Sequence, residues 1–118
     1  MTQPSRRPRK EERRMAEQTT IVYIDEEIAD LVPEFLANRR RDVEQIQQLL
    51  QAGKYGELTR LGHTMKGTGG GYGFAEISAI GKEIEEAGIR GDHEAITRLG
   101  QRLSAYLATV TVEVRQAE

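Results

Sequence analysis

At 118 residues, with 31% charged and only 5% aromatic side chains, the chain has room for one domain with an aliphatic core. It contains no cysteine, which excludes disulfides and thiolate zinc sites, and no apolar run approaches the ~20 residues of a membrane span. Residues 1–20 carry six Lys/Arg against three acids, whereas residues 21–118 carry eleven against sixteen. That acidic body argues against nucleic acid as the main partner, because phosphate-backbone binding needs clustered cations on the folded surface.

In chain order, residues 1–20 have no apolar stretch behind their basic residues, so they read as a disordered, solubilising tail and not as a secretory signal. The expected location is the cytoplasm. The domain is expected over residues 21–118. IDEEIADLV, residues 24–32, reads as a short leading helix with acids in its first turn, where the helix dipole favours them. Pro33 either closes it or opens the next helix. That helix places Val32, Leu36, Val43, Ile46 and Leu50 on one face and stops at Gly53.

A further helix begins near Lys54. FAEISAIGKEIEEAG, residues 74–88, gives another, with Phe74, Ile77, Ile80 and Ile84 on one face and Gly88 as its terminator. Asp92 is a suitable N-cap for the last helix, whose stripe is expected to run through Ile96, Leu99, Leu103, Tyr106, Leu107, Val110 and Val114. VTV at residues 110–112 has strand-like composition, but it is short and without an evident partner. The predicted fold is therefore all-α: an antiparallel up-down four-helix bundle with a short additional N-terminal helix.

The segment HTMKGTGGGYG, residues 63–73, holds one histidine, one lysine and five glycines. On a helical wheel Leu58, Met65, Thr68 and Tyr72 cluster around Leu61 as the core face, and His63 lies about 200° from Leu61. Lys66, Gly67 and Gly70 follow at i+3, i+4 and i+7 and share the histidine's side. Each glycine in a helix interior costs about 0.8–1 kcal/mol relative to alanine. Bare backbone beside an exposed imidazole makes sense where another molecule must come close, and a neutral imidazole is nucleophilic near pH 7.

The competing chemistries fail on order and spacing. A P-loop needs G-x-x-x-x-G-K-[ST] after a strand, but Lys66 precedes the glycines and no strand comes before them. No βαβ unit surrounds the segment, so a dinucleotide site is excluded as well. His93 stands beside Asp92 at a helix start and is expected to be a capping-turn residue and not a metal ligand; no metal site is predicted.

H-T-M-K-G-T-G-G-G-Y-G resembles the signature of the histidine-containing phosphotransfer (HPt) domain, which is H-x-x-K-G, then small residues, then an apolar residue and Gly. The resemblance extends over about residues 24–115. It implies a histidine phosphotransfer intermediate of a two-component phosphorelay, of the kind found in bacteria, without kinase activity of its own. His63 would take a phosphoryl group from a receiver-domain phospho-aspartate and pass it to another receiver. Lys66 corresponds to the neighbouring cation, Gly67 and Gly70 to the small positions that let a receiver approach, and Tyr72–Gly73 to the apolar-Gly end. Glu85 falls where family members often place a polar residue near the histidine.

Thr68, Gly69 and Gly71 depart from the usual pattern, and the two glycines are expected to loosen the end of the helix. Exposed apolar residues around the motif are expected to form most of the docking surface. The implied partners are receiver domains and a sensor or hybrid histidine kinase, with no cofactor in this chain and Mg²⁺ supplied by the receiver. A monomer with no membrane contact is expected. Two alternatives stay open: a helical adaptor that docks receivers or kinases without being phosphorylated, and the phospho-accepting first domain of a chemotaxis-type kinase.

Overall fold

The computed structural model describes residues 20–116. Among them, α1 (Val32–Gln51), α2 (Tyr55–Gly71), α3 (Ala75–Arg90) and α4 (His93–Thr109) follow one another, flanked by β1 (Thr20–Asp25) and β2 (Val110–Arg115). The turns between helices are two or three residues long, which forces neighbours to run antiparallel. The helix bundle forecast from the apolar periodicity is present. α2 packs most extensively on α3, and contacts of α1 with α4, α4 with α3 and α2 with α1 close the bundle.

Glycine and aspartate set the helix ends. Gly53 follows α1 with φ +67°, a left-handed backbone that side chains disfavour. α3 runs past Gly88, the expected terminator, to Arg90 and is capped by Gly91 at φ +64°. Gly88 is instead buried inside the helix pair. Asp92 caps α4 as anticipated, its Oδ1 accepting from the Ala95 N–H at 3.1 Å.

The core is aliphatic: Ile46, Leu58, Met65, Ile80, Ile84 and Leu103 are almost fully buried. At one end Phe35 stacks between Tyr72 and Phe74, with ring centroids 4.6 and 5.1 Å away. This aromatic group fixes the turn after α2, so the apolar-Gly end of the motif packs the helix on its neighbours. The end of α2 is further held by Arg39 of α1, whose Nη1 donates to Thr68 Oγ1 at 2.6 Å. Arg39 is buried beside Asp42, its Nε 2.8 Å from Oδ2 but off the line of the N–H bond, so neither atom completes a hydrogen bond. Burial pushes the Asp42 carboxyl above the usual aspartate range, and the Arg39 charge only partly offsets this.

Two expectations about the chain ends are corrected. Residues 24–32 are not a leading α-helix: Ile24 and Asp25 finish β1, and a single 3₁₀ turn, Ala29–Leu31, leads into α1. VTV does have a partner, because β2 pairs with β1 in parallel, Val22 opposite Val112 and Ile24 opposite Val114. Val22, Val110 and Val112 pack on the core beside buried Ile24, so burial of one face stabilises strands that would be marginal alone. The predicted basic tail lies outside the described residues except for Thr20, which opens β1.

Candidate functional site

His63 stands midway along α2 with 69% of its side chain exposed. The buried positions of this helix are Leu58, Gly62, Met65 and Gly69, at steps of four, three and four. The core face is therefore centred nearer the glycines, about 70° round the helix from Leu61. Leu61 is only half-buried, and His63 remains on the open side. Of the five glycines of the motif Gly69 is a core residue, and so is Gly62, which lies just before the motif.

Across the helix pair, α3 buries Ile77, Ile80 and Ile84 and so turns Glu85 towards α2. Glu85 Oε2 lies 2.7 Å from His63 Nδ1, and Glu85 Oε1 lies 3.6 Å from Lys66 Nζ. One carboxylate thus bridges the histidine and the lysine. With Nδ1–H donating to it, the neutral ring keeps its lone pair on Nε2, and no described group occupies that nitrogen. The hydrogen bond from His63 chiefly lowers the Glu85 pKa, with Lys66 adding to the effect and desolvation opposing it. Glu85 stays ionised where it must hold the ring.

Around His63 the exposed positions of α2 are Arg60, Thr64, Gly67, Gly70 and Gly71. This is a small, polar surface and not the apolar one expected; the large exposed apolar side chains are Ile21, Tyr23, Leu31, Ile89 and Val114, none of them on α2. Gly67 and Gly70 do lie open: a Cβ on Gly67 would meet nothing within 4 Å, and on Gly70 only Ser78 Oγ at 3.6 Å. Gly69 is different, since its Cβ would stand 2.7 Å from the Ser78 N. It lies inside α2, which runs on to Gly71, and lets α3 approach. Its counterparts are Gly62, Gly81 and Gly88, and the seven-residue spacing of Gly62–Gly69 and of Gly81–Gly88 was the sequence signal for this contact.

His93 begins α4, exposed, and its carbonyl accepts from Thr97 Oγ1. Among the described residues no three His, Asp or Glu side chains group as metal ligands would, and no helix is long and apolar enough to cross a membrane. What the site offers is one oriented nucleophilic nitrogen, an adjacent cation and a bare helix surface. A model of the Hpt domain matches residues 30–110, well over half of the chain. The chain belongs to the Hpt domain family. Hpt domains are phosphocarrier modules of phosphorelays, not kinases, and they interact with receiver domains and kinases. No curated protein and no solved structure matches the chain at a significant level. The β1–β2 pair lies almost wholly outside the matched residues and ties the two ends of the Hpt region together.

Proposed function

We propose that His63 is the phosphoryl acceptor of this Hpt domain, taking the group from a receiver's phospho-aspartate and handing it to a second receiver. The observation that carries this reading is the 2.7 Å bond between Nδ1 and Glu85, which leaves Nε2 as the ring nitrogen with its lone pair on a largely exposed side chain. Nε2 attacks phosphorus as the P–O bond to the aspartate breaks; an N–P bond forms and the aspartate carboxylate leaves. The ring gains positive charge in that step, and Glu85 balances it at Nδ1–H, much as the aspartate of a Ser-His-Asp triad stabilises the imidazolium that forms beside it. Lys66 turns from Glu85 to the phosphoryl oxygens, a charge-assisted contact. Transfer of this kind depends on positioning and charge. Mg²⁺ comes with the receiver in this reading, and Gly67 and Gly70 give the receiver room to approach.

The direct test is to incubate the chain with a phosphorylated receiver and look for acid-labile, base-stable phosphate. Label on the wild type and none on His63→Gln is the expected result. A wild-type protein that takes no label from any receiver of its own cell sinks the proposal.

A further inference from the structure

Gly62 and Gly81 lie against each other at the level of His63, and each touches the backbone of a residue of the site. A Cβ on Gly62 would stand 2.5 Å from the Glu85 N and 2.7 Å from the Gly81 O. On Gly81 it would stand 2.5 Å from the Lys66 N and 2.8 Å from the Gly62 O. The contacts are reciprocal: the glycine of α2 receives Glu85 of α3, and the glycine of α3 receives Lys66 of α2. Obstacles made of helix backbone cannot swing aside as a side chain can, so any side chain here forces the helices apart.

We infer that Gly62 and Gly81 are positioning residues: they set the α2–α3 distance at which the Glu85 carboxylate reaches both His63 Nδ1 and Lys66. Bringing a Cβ from 2.5 Å to an ordinary contact near 3.4 Å moves the backbones apart by about 0.9 Å. The same displacement takes the 2.7 Å bond beyond hydrogen-bonding range. Gly69 and Gly88 make nearly as close backbone contacts, with the Ser78 N at 2.7 Å and the Thr59 N at 2.9 Å, and Gly88 also meets Thr59 Oγ1, but neither touches His63 or Glu85. They are the internal controls, similar in packing, and Gly88 is the cleaner of the two, because Ser78 beside Gly69 also donates to the Lys66 carbonyl at 2.8 Å. The consequence for transfer rests on His63 being the phosphoryl acceptor; the consequence for the ring does not.

The test compares Gly62→Ala and Gly81→Ala with Gly69→Ala and Gly88→Ala in the full chain. It reads the His63 ring nitrogens by ¹⁵N NMR before phosphorylation, then the transfer rate from a phosphorylated receiver. The first pair is expected to lose the Nδ1–H preference and to transfer at least ~10-fold more slowly. The second pair is expected to melt lower with a wild-type ring. Gly62→Ala or Gly81→Ala with a wild-type ring spectrum overturns the inference, as does an equal ring change in the controls. If the first pair does not fold, Glu85→Asp withdraws the carboxylate by about one methylene without a clash, which is roughly the same displacement. An unchanged ring in Glu85→Asp means the spacing is not critical and equally overturns it. Failure of the wild type to accept phosphate leaves the ring result standing and counts against the proposed function alone.

Discussion

Glu85 of α3 accepts a hydrogen bond from His63 Nδ1 at 2.7 Å, across the helix pair and 22 residues along the chain. Because that bond lowers the Glu85 pKa, linkage fixes its sign. The contact contributes to stability above the unfolded-state glutamate value and is lost as pH falls through the lower folded value. Carboxyl ¹³C titration is expected to give a Glu85 midpoint below the ordinary glutamate range. His63→Ala should raise that midpoint, and Lys66→Met should raise it less. Glu85→Ala is expected to slow transfer by roughly 10- to 100-fold, the scale of lost positioning, measured by rapid quench. A Glu85 midpoint unmoved by His63→Ala contradicts the bridge.

Lys66 serves phosphate chemistry only if it leaves Glu85. Lys66→Met is expected to cost about tenfold in transfer rate and to shorten the phosphohistidine lifetime, while Lys66→Arg keeps most of both. Loss of only ground-state stability, with transfer intact, would assign the lysine to the ion pair alone. Thermal melts run beside the transfer assay separate the two roles.

Gly67 and Gly70 should separate stability from function. Both lie open, so Gly67→Ala and Gly70→Ala each recover about 0.8–1 kcal/mol of helix stability. For a domain of this size that raises Tm by roughly 4–8 °C per kcal/mol. Gly67→Leu, which projects into the receiver's path, is expected to weaken receiver binding at least tenfold while remaining as stable as wild type. Calorimetric melts and titration with a receiver check both halves.

Arg39 and Asp42 form a buried pair whose members depend on each other. Arg39→Met alone is expected to destabilise by about 3–5 kcal/mol, since it strands a buried carboxylate, whereas Arg39→Met with Asp42→Leu comes back close to wild type. Because burial raises the Asp42 pKa, its contribution is greatest below the unfolded-state value and is lost as pH rises through the raised folded value. Removing Arg39 takes away what lowers that pKa and raises it further. Urea melts across pH on the four proteins of the cycle measure this.

Much of this architecture was legible in the sequence because its signals are local. Helical spacing of Ile, Leu and Val marked α1 to α4, and Asp92 announced its cap. His63, Lys66 and the open Gly67 and Gly70 followed from one wheel. The strand pair was not legible, since Val22 and Val112 are each other's context and stand far apart in the chain. The glycines misled for a different reason. Gly69 was counted only as a cost to the helix, Gly88 was read as a terminator, and Gly62 and Gly81 drew no notice, yet all four lie where the two helices meet most closely. Gly67 and Gly70 fit clearance for a partner; Gly69 makes room for α3.

The central claim concerns one nitrogen of one histidine, and His93 on the same chain is its natural control. The decisive measurement passes phosphate from a phosphorylated receiver to the full chain, maps it by mass spectrometry under non-acidic conditions, and then adds an unphosphorylated second receiver. With His63 as the acceptor, phosphate is expected on His63 and not His93, with no transfer to His63→Gln and discharge to the second receiver. Phosphate on neither histidine, or undiminished labelling of His63→Gln, contradicts that claim.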